Sequence, residues 1–543
     1  MTFLKSILLL LSLTLIAALM ACSSSNHVIP PPNSGPLADG NYVFSLAGTD
    51  NTDASPYYVA GAFTVARGVI TGGEQDFVDV DFELSDTISA IGSSITATAD
   101  GNLTIVLATG DSNIGVDGVE TLNGTILPLS TTDRTLITEF DASATGSGEI
   151  DPQSTSGVAA ATPTAGYAFG LNGIDGLAGI SGGGLPISMG GVINVDGPGT
   201  ISGTGSIFDA NDGGSGSTYA GLNFANTSVV SAPDTFGRVT FTLDTNSVNF
   251  PQIVLAGYIV DSTHVRLVET GDTYEGALGG TALSQGANTG TFGTSSVVAG
   301  NTYVVGLNGL DINGFFQTVA QVTPSGTTST AGGFVDFNDL VISSATTAIS
   351  PDPVTSSAYA VDPTGDVTIT NLTDGTNAFN VQLYLDGNNN AMAITLDTLD
   401  AIGGFGFQQP AAAVGAFTAS NFNGGYGLNV TGWDFNYDGE FDAVGPITAD
   451  GTSAITGTVD LNWLLTGTFT AAPVTGTFTA NADGVFSDGF TGLDLTDCTL
   501  FTPTGGGCSA DLFNYYLTGD AAGDSFTIET DLNQLTLGYF TQQ

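Results

Sequence analysis

A nine-residue pattern, Tyr-x-apolar-x-apolar-x-Gly-x-Asp, recurs four times in this chain at near-equal intervals, and this constrains its fold more than any other feature. The copies are Tyr42…Gly48-x-Asp50, Tyr167…Gly173-x-Asp175, Tyr303…Gly309-x-Asp311 and Tyr426…Gly432-x-Asp434; their first residues lie 125, 136 and 123 positions apart. One or two such matches can arise by chance in a β-rich chain, but four in this spacing cannot. A repeat of this length is long enough to bury its own core, unlike solenoid repeats of roughly 20–45 residues. We therefore expect four tandem domains with separate cores, strung like beads.

Other landmarks recur in the same order within each copy. A strand and Gly turn reads Gly61-Ala-Phe-Thr…Gly72 in the first and Gly191-Val-Ile-Asn…Gly203 in the second. An acidic stretch follows: Asp76 and Asp79; Asp209, Asn211 and Asp212; Asp336, Asn338 and Asp339; Asp460 and Asn462. Each copy closes on apolar strands such as Ile253–Val260 and ends in a glutamine, at Gln153, Gln285, Gln408 and Gln542. Alternation such as Tyr42-Val-Phe44-Ser-Leu46 indicates antiparallel strands with one buried face. About eight short strands fit each copy, joined by Gly, Asp and Asn turns, with no room for a helix of three turns. The class is all-β. An up-and-down barrel is favoured because closure removes exposed edges; a two-sheet sandwich is the runner-up. The boundaries are 1–21 leader, 22–40 tether, and domains 41–153, 166–285, 301–409 and 425–543. A single transmembrane barrel is disfavoured, since strand ends carry no regular aromatic girdles.

Charge excludes several functions. The chain holds 53 Asp+Glu against five Lys+Arg, for a net charge of −48. Lys5 falls in the leader, leaving Arg67, Arg134, Arg238 and Arg266 as the strong cations. Such a chain repels polyphosphate, so no nucleic-acid partner is expected. It repels anionic lipid headgroups too, so a hold on the membrane must be covalent or apolar. A mean hydropathy of +0.24 with 11% charged residues argues against disorder.

The first residues read MTFLKSILLLLSLTLIAALMAC. One basic residue precedes an apolar run of about 15 residues and a small-residue site, which marks a secretory leader rather than a membrane span. Its end, Leu19-Met20-Ala21-Cys22, resembles the lipobox of bacterial lipoproteins. The resemblance covers this targeting segment alone, and Met20 is an uncommon choice within it. It implies diacylglyceryl transfer to the Cys22 thiol, cleavage before Cys22, and export to a lipid-anchored position. Ser23 in place of Asp points to the outer membrane or cell surface. The Ser/Pro/Gly-rich stretch 23–40 reads as an extended tether, and His27 within it carries no role.

Candidate chemistry is sparse. Asp434, Asn436, Asp438, Glu440 and Asp442 alternate around Gly439 as oxygen ligands do in a Ca²⁺ loop, although Gly445 stands where a bidentate carboxylate belongs. The bland alternative is a polar connection between two strands. No other cofactor is called for. Cys498 and Cys508 read as a disulfide in an oxidising compartment. His264 lies in a strand and reads as a surface histidine rather than a catalytic one. No spacing singles out a carboxylate pair for glycosidase chemistry, and Gly182-Gly183-Gly184 lacks the lysine of a phosphate loop. Trp433, Trp463, Tyr515 and Tyr516 could stack on sugar rings, with core packing as the default. These features point to a non-enzymatic surface lipoprotein with an adhesive or spacer role. A small-ligand or carbohydrate-binding module is the alternative, and an enzyme acting on extracellular polymers comes last.

Overall fold

The computed structural model describes residues 36–542 apart from short stretches, the longest being 126–133, 155–162, 176–184, 340–348 and 492–510. It is all-β, with four antiparallel sheets in chain order and no α-helix among the described residues. Unit one (Gly40–Asp50 through Ala144–Gln153) and unit four (Asn423–Asp434 through Gln534–Gln542) are closed eight-stranded barrels. Unit two (Ala165–Ile174 through Ala277–Ser284) and unit three (Thr302–Asp311 through Asp400–Gln409) are nine-stranded sheets curled in the same order but open along one line.

The opening has a local cause. In both open units the fourth strand is broken in two, as Ser217–Leu222 with Val229–Val230, and as Ile349–Pro353 with Ser356–Val361. Pro351 and Pro353 remove two backbone donors from the ladder of unit three. In unit two the ladder register shifts beside Gly221, whose φ is +67°, and the strand ends one residue later at Leu222. Counting the broken strand as one, every unit has eight strand positions, and these are used below.

The repeated motif supports each barrel. Its glycine lies where the first strand packs tightly against the eighth. A Cβ on Gly48 would sit 1.9 Å from the Thr145 carbonyl oxygen, on Gly173 1.9 Å from that of Ala277, on Gly309 2.5 Å from that of Ala401, and on Gly432 2.0 Å from that of Leu535. Its tyrosine pins the neighbouring chain at the barrel mouth: the Tyr42 hydroxyl donates to Ala38 O, Tyr167 to Ser262 O and Tyr303 to Ser296 O, and Tyr426 accepts from the Asn423 amide. Its aspartate shapes the first turn. Asp50 accepts from the Thr52 amide, Asp175 from Leu185 and Asp311 from Gly314, while Asp434 is fully buried.

Each unit owns a core of inward-facing side chains. Unit one gathers Tyr42, Phe44, Leu46 and Phe63, and unit four packs Trp463, Tyr515 and Phe540. The connecting segments belong to these cores. Leu37 seats in unit one, Phe292 and Val297 in unit three, and Phe417 and Phe422 in unit four. The expected tether therefore ends before residue 37, not at 40, and Phe292, Val297, Phe417 and Phe422, which lie between the expected domains, pack into the cores of units three and four. The barrel interiors are filled; unit three retains an apolar space of about 40 Å³ among Val305, Tyr359, Ile369 and its neighbours.

The units are not loosely strung. The second strand of each packs on the seventh and eighth strands of the next: Pro56–Ala66 on His264–Glu269 and Ala277–Ser284, Pro186–Val195 on Ala391–Thr395 and Asp400–Gln409, and Gly314–Pro324 on Ser525–Glu529 and Gln534–Gln542. Gly439–Asp450 of unit four then packs on Thr135–Glu139 and Ala144–Gln153 of unit one. The four units close into a ring.

Candidate functional site

The junctions are built from the repeat itself. Strands at the contacts are apolar on both faces, so alternate residues serve different cores. In the sixth strand of unit two (Gln252–Ile259), Ile253, Leu255 and Ile259 fill the barrel, while Ala256, Tyr258 and the adjoining Val260 face unit one with Val43, Ala60 and Val78. Comparable outward clusters join units two and three (Ala168, Val192, Tyr384, Met392, Ile394) and units three and four (Val304, Val319, Tyr516, Phe526, Ile528).

Within these apolar contacts sits a recurring polar lock. The Tyr258 hydroxyl of unit two donates to Asp76 of unit one at 2.6 Å, Tyr384 of unit three to Asp209 of unit two at 2.6 Å, and Tyr516 of unit four to Asp336 of unit three at 2.7 Å. Burial raises all three tyrosines well above their ordinary pKa, as do the facing carboxylates. Burial also raises Asp209, with the Tyr384 hydroxyl working against it, and pushes Asp336 up to about 6. The glutamine ending each unit makes a second clasp. Gln153 Nε2 donates to Phe236 O and Ile259 O, Gln285 Nε2 to Thr364 O and Leu385 O, and Gln409 Nε2 to Leu517 O, each in the following unit. In unit three this residue is Gln409, one beyond the Gln408 expected from the sequence, which instead donates to the Tyr303 hydroxyl.

The arginines concentrate at the first junction. Arg238 of unit two meets Asp76 of unit one at 2.6 Å. Arg266, 2% exposed, reaches Glu149 and Asp151 of unit one, and Arg134 pairs with Glu149 at 2.6 Å. Burial alone would raise the Asp151 carboxyl, but the Arg266 and Arg134 guanidiniums outweigh it and hold Asp151 below the usual range.

First, seventh and eighth strands from all four units frame a shared axial cavity of about 1000 Å³. Its wall carries the Arg134, Glu149, Asp151 and Arg266 network with His264, the aromatic rings of Phe405, Phe407, Phe526 and Tyr539, and the amides of Asn172, Asn308 and Asn429. Phe407 stacks on Tyr539 at 6.0 Å. The cavity offers hydrogen-bonding groups, paired charges and aromatic faces together, which is the chemistry of a polar small-ligand site.

Other sequence candidates fall as follows. Glu440 and Asp442, two apart on one strand, face unit one: Thr49 donates to Glu440, and Thr145 and Ser147 donate to Asp442 at 2.8 and 2.7 Å. Asn436 and Asp438, the middle of the proposed Ca²⁺ loop, lie outside the described residues, as do Cys22, Cys498 and Cys508. Among the described residues no group of three or more His, Cys, Asp or Glu is placed to hold a metal ion. His264 Nδ1 lies 3.3 Å from Asp261 and 2.8 Å from the Thr263 hydroxyl, so its local partners sit on its own turn. Trp463 and Tyr515 are core residues, Tyr516 is a junction lock, and Trp433 packs against Phe315 of unit three at 5.2 Å. No described helix is long and apolar enough to cross a membrane.

Sequence reading marked the acidic stretch and the terminal glutamines but missed the junctions and the cavity. The available signal was the run Ile253–Val260, whose continuous apolar character means burial on both faces.

No protein-family model matches the chain, and no curated protein does. Among solved structures it is similar to a mutant of the vaccine antigen transferrin-binding protein B from Haemophilus parasuis Hp5, at 9% identity over 93% of this chain and 75% of that one, with a TM-score of 0.14. It is also similar to intact Ap-TbpB with its N and C lobes, at 10% identity over 93% and 76% of the two chains, with a TM-score of 0.14.

Proposed function

We propose that the chain is an exported surface protein, lipid-anchored through Cys22, whose four β-units work as one rigid ring in a non-enzymatic, adhesive or structural role. The observation that carries this reading is where the chain spends its buried polar groups. Asp76, Asp209 and Asp336 each accept a tyrosine from the next unit, Gln153, Gln285 and Gln409 each clasp its backbone, and Arg238 and Arg266 pair across the first junction. These groups assemble a scaffold instead of presenting reactive atoms to a substrate. A rigid ring displays its four outer faces at fixed spacing, so weak contacts to one surface add without each contact having to order the array anew.

A second reading, binding of a polar small molecule, is supported by the axial cavity and its mixed wall. It places the ligand between the units instead of in the barrel mouths, which Phe417, Phe422, Phe292 and Leu37 fill.

The test compares cells displaying the chain with cells carrying a Cys22→Ala form for attachment to abiotic and cellular surfaces. Purified protein is assayed in parallel for hydrolysis of polysaccharides and proteins. The proposal expects acylated, membrane-fractionated protein, attachment that depends on it, and no turnover. Equal attachment together with measurable turnover overturns it.

A further inference from the structure

The junction arginines use every guanidinium nitrogen, but the arginine of the axial cavity does not. Arg238 spends its three on Asp76 and Thr240, and Arg266 spends its three on Asp151 and Thr281. In Arg134 only Nε is engaged, with Glu149 at 2.6 Å and Asp151 at 3.4 Å; neither Nη1 nor Nη2 makes a hydrogen bond among the described residues. A third of this side chain (34%) stays accessible, and it lines the cavity.

Other cavity groups are unspent in the same way. Asn308 of unit three has a buried Oδ1 without a partner, and its Nδ2 makes no hydrogen bond among the described residues. Asn172 of unit two, like Asn308 five residues after its motif tyrosine, donates to Asn308 O and leaves its own Oδ1 unpaired. His264 commits Nδ1 to Asp261 and Thr263 of its own turn, while Nε2 has no partner among the described residues. Polar atoms inside a folded protein nearly always have partners, so a group of exceptions around one space calls for an explanation. Beside them are ring faces. Phe407 stacks on Tyr539, both rings are half-buried, and both line the cavity. Arg134 of unit one lies near enough to Tyr539 of unit four to interact with it electrostatically.

Charge narrows the ligand. The wall holds five carboxyl groups, Glu149, Asp151, Asp386, Glu440 and Asp524, against Arg134 and Arg266, in a chain of net charge −48. An anion would enter against this field, and both guanidiniums already have carboxylate partners. A cation would gain nothing from an open guanidinium fork, which only donates. What fits is an uncharged molecule rich in hydroxyl oxygens with apolar C–H faces. Neighbouring hydroxyls match the planar fork and the amides, and C–H groups match the electron-rich face of an aromatic ring.

We propose that the axial cavity binds a neutral oligosaccharide, with sugar hydroxyls held by Arg134, His264 and Asn308 and a sugar face laid against the Phe407–Tyr539 pair. This rests on the second reading above, that the cavity is a ligand site, and names its ligand class. At about 1000 Å³ the space stands at the top of the range of ligand pockets and takes several sugar units. Arg134, His264, Asn308 and Tyr539 come from units one, two, three and four, so the site is complete only in the closed ring.

The test uses the whole chain from residue 23 and six probes. Cellohexaose, maltohexaose, laminarihexaose and mannohexaose are neutral sugars; hexagalacturonate is a charged sugar, and hexaglycine is a peptide with a neutral backbone. Titration calorimetry and saturation-transfer NMR read binding. At least one neutral hexaose should bind, one per chain, with an affinity indifferent to salt. Arg134→Lys keeps the charge and loses the fork, and Asn308→Ala breaks no side-chain hydrogen bond; each should weaken binding by about fivefold or more. Binding by none of the four, or binding that both variants leave intact, overturns the proposal. If the neutral sugars are silent and hexagalacturonate or hexaglycine binds with the same dependence on Arg134, the sugar assignment falls and the cavity remains a ligand site. Silence from all six probes removes both. Should Arg134→Lys fail to fold, Asn308→Ala alone decides, and unweakened binding in it overturns the proposal.

Discussion

Replacing the three lock tyrosines by phenylalanine one at a time should give a graded series of losses, because the three acceptors differ in what else holds them. Each change deletes one hydroxyl and keeps the ring that packs the junction. At Tyr384 the loss is largest. Asp209 Oδ2 accepts from the Tyr384 hydroxyl at 2.6 Å, and its other oxygen is served by the Gly221 amide at 2.6 Å. Removing the hydroxyl strands a buried acceptor, which costs about 2–3 kcal/mol for a charged group. At Tyr516, Asp336 Oδ2 keeps Asn514 at 2.7 Å, so Tyr516→Phe should cost about 1–2 kcal/mol. At Tyr258, Asp76 keeps both contacts to Arg238, at 2.6 and 2.8 Å, and the Ser85 hydroxyl, so the loss should fall below about 1 kcal/mol. Urea unfolding of the whole chain at pH 7, with far-UV and aromatic signals followed together, measures the series. Burial already raises Asp209, and removing its donor raises it further, so the deficit of Tyr384→Phe should shrink as pH falls and the carboxyl protonates. Equal losses at the three sites, or Tyr258→Phe as the worst, would refute the assignment of these pairs as locks.

Arg266→Met leaves Asp151 and Glu149 to share Arg134 and should cost about 2–4 kcal/mol in thermal or chemical unfolding, less than the loss of every partner would. Because Asp151 is held below its ordinary value, the stabilisation it supplies is present above about pH 4 and lost as pH falls further, so variant and wild type should converge in acid. Phe422→Ala removes a fully buried ring set between Tyr426, Phe478 and Phe540, and should lower stability by about 3–5 kcal/mol, with near-UV changes confined to unit four. Gly173→Ala puts a Cβ 1.9 Å from a carbonyl oxygen and should cost about 1–3 kcal/mol, whereas Gly110→Ala, which meets no atom within 4 Å, is limited by its φ of +79°. Limited proteolysis should cut within connecting stretches yet leave the fragments associated on a sizing column.

The fold was legible where one residue's role is set by its own repeat. The Tyr, Gly and Asp of the motif act within the barrel that contains them, so period-2 alternation and turn chemistry were enough to place them. The junctions were not legible, because each is made between residues far apart in the chain. Asp209 and Tyr384 are 175 positions apart, and Asp76 and Tyr258 are 182. The tyrosine sits inside a continuous apolar strand, where it looks like any core residue. The acidic stretch suggested a solvated surface or a cation site, yet Asp76, Asp209, Asp336 and Asp460 are buried acceptors between units. The open fourth strands of units two and three were missed although Pro351 and Pro353 announce one of them. Glu440 and Asp442 were read along the chain as ligands of one loop; strand geometry sends both across to unit one.

The claim on which all of this rests is that four units form a single closed body, and small-angle scattering at pH 5 on the chain from residue 23 tests it most directly. A compact body of this length has a radius of gyration of about 24 Å, and a ring with an axial cavity should lie slightly above that, with a distance distribution of one maximum. A radius half as large again, with separate maxima for neighbouring and distant units, would mean four beads on a string and would contradict the account.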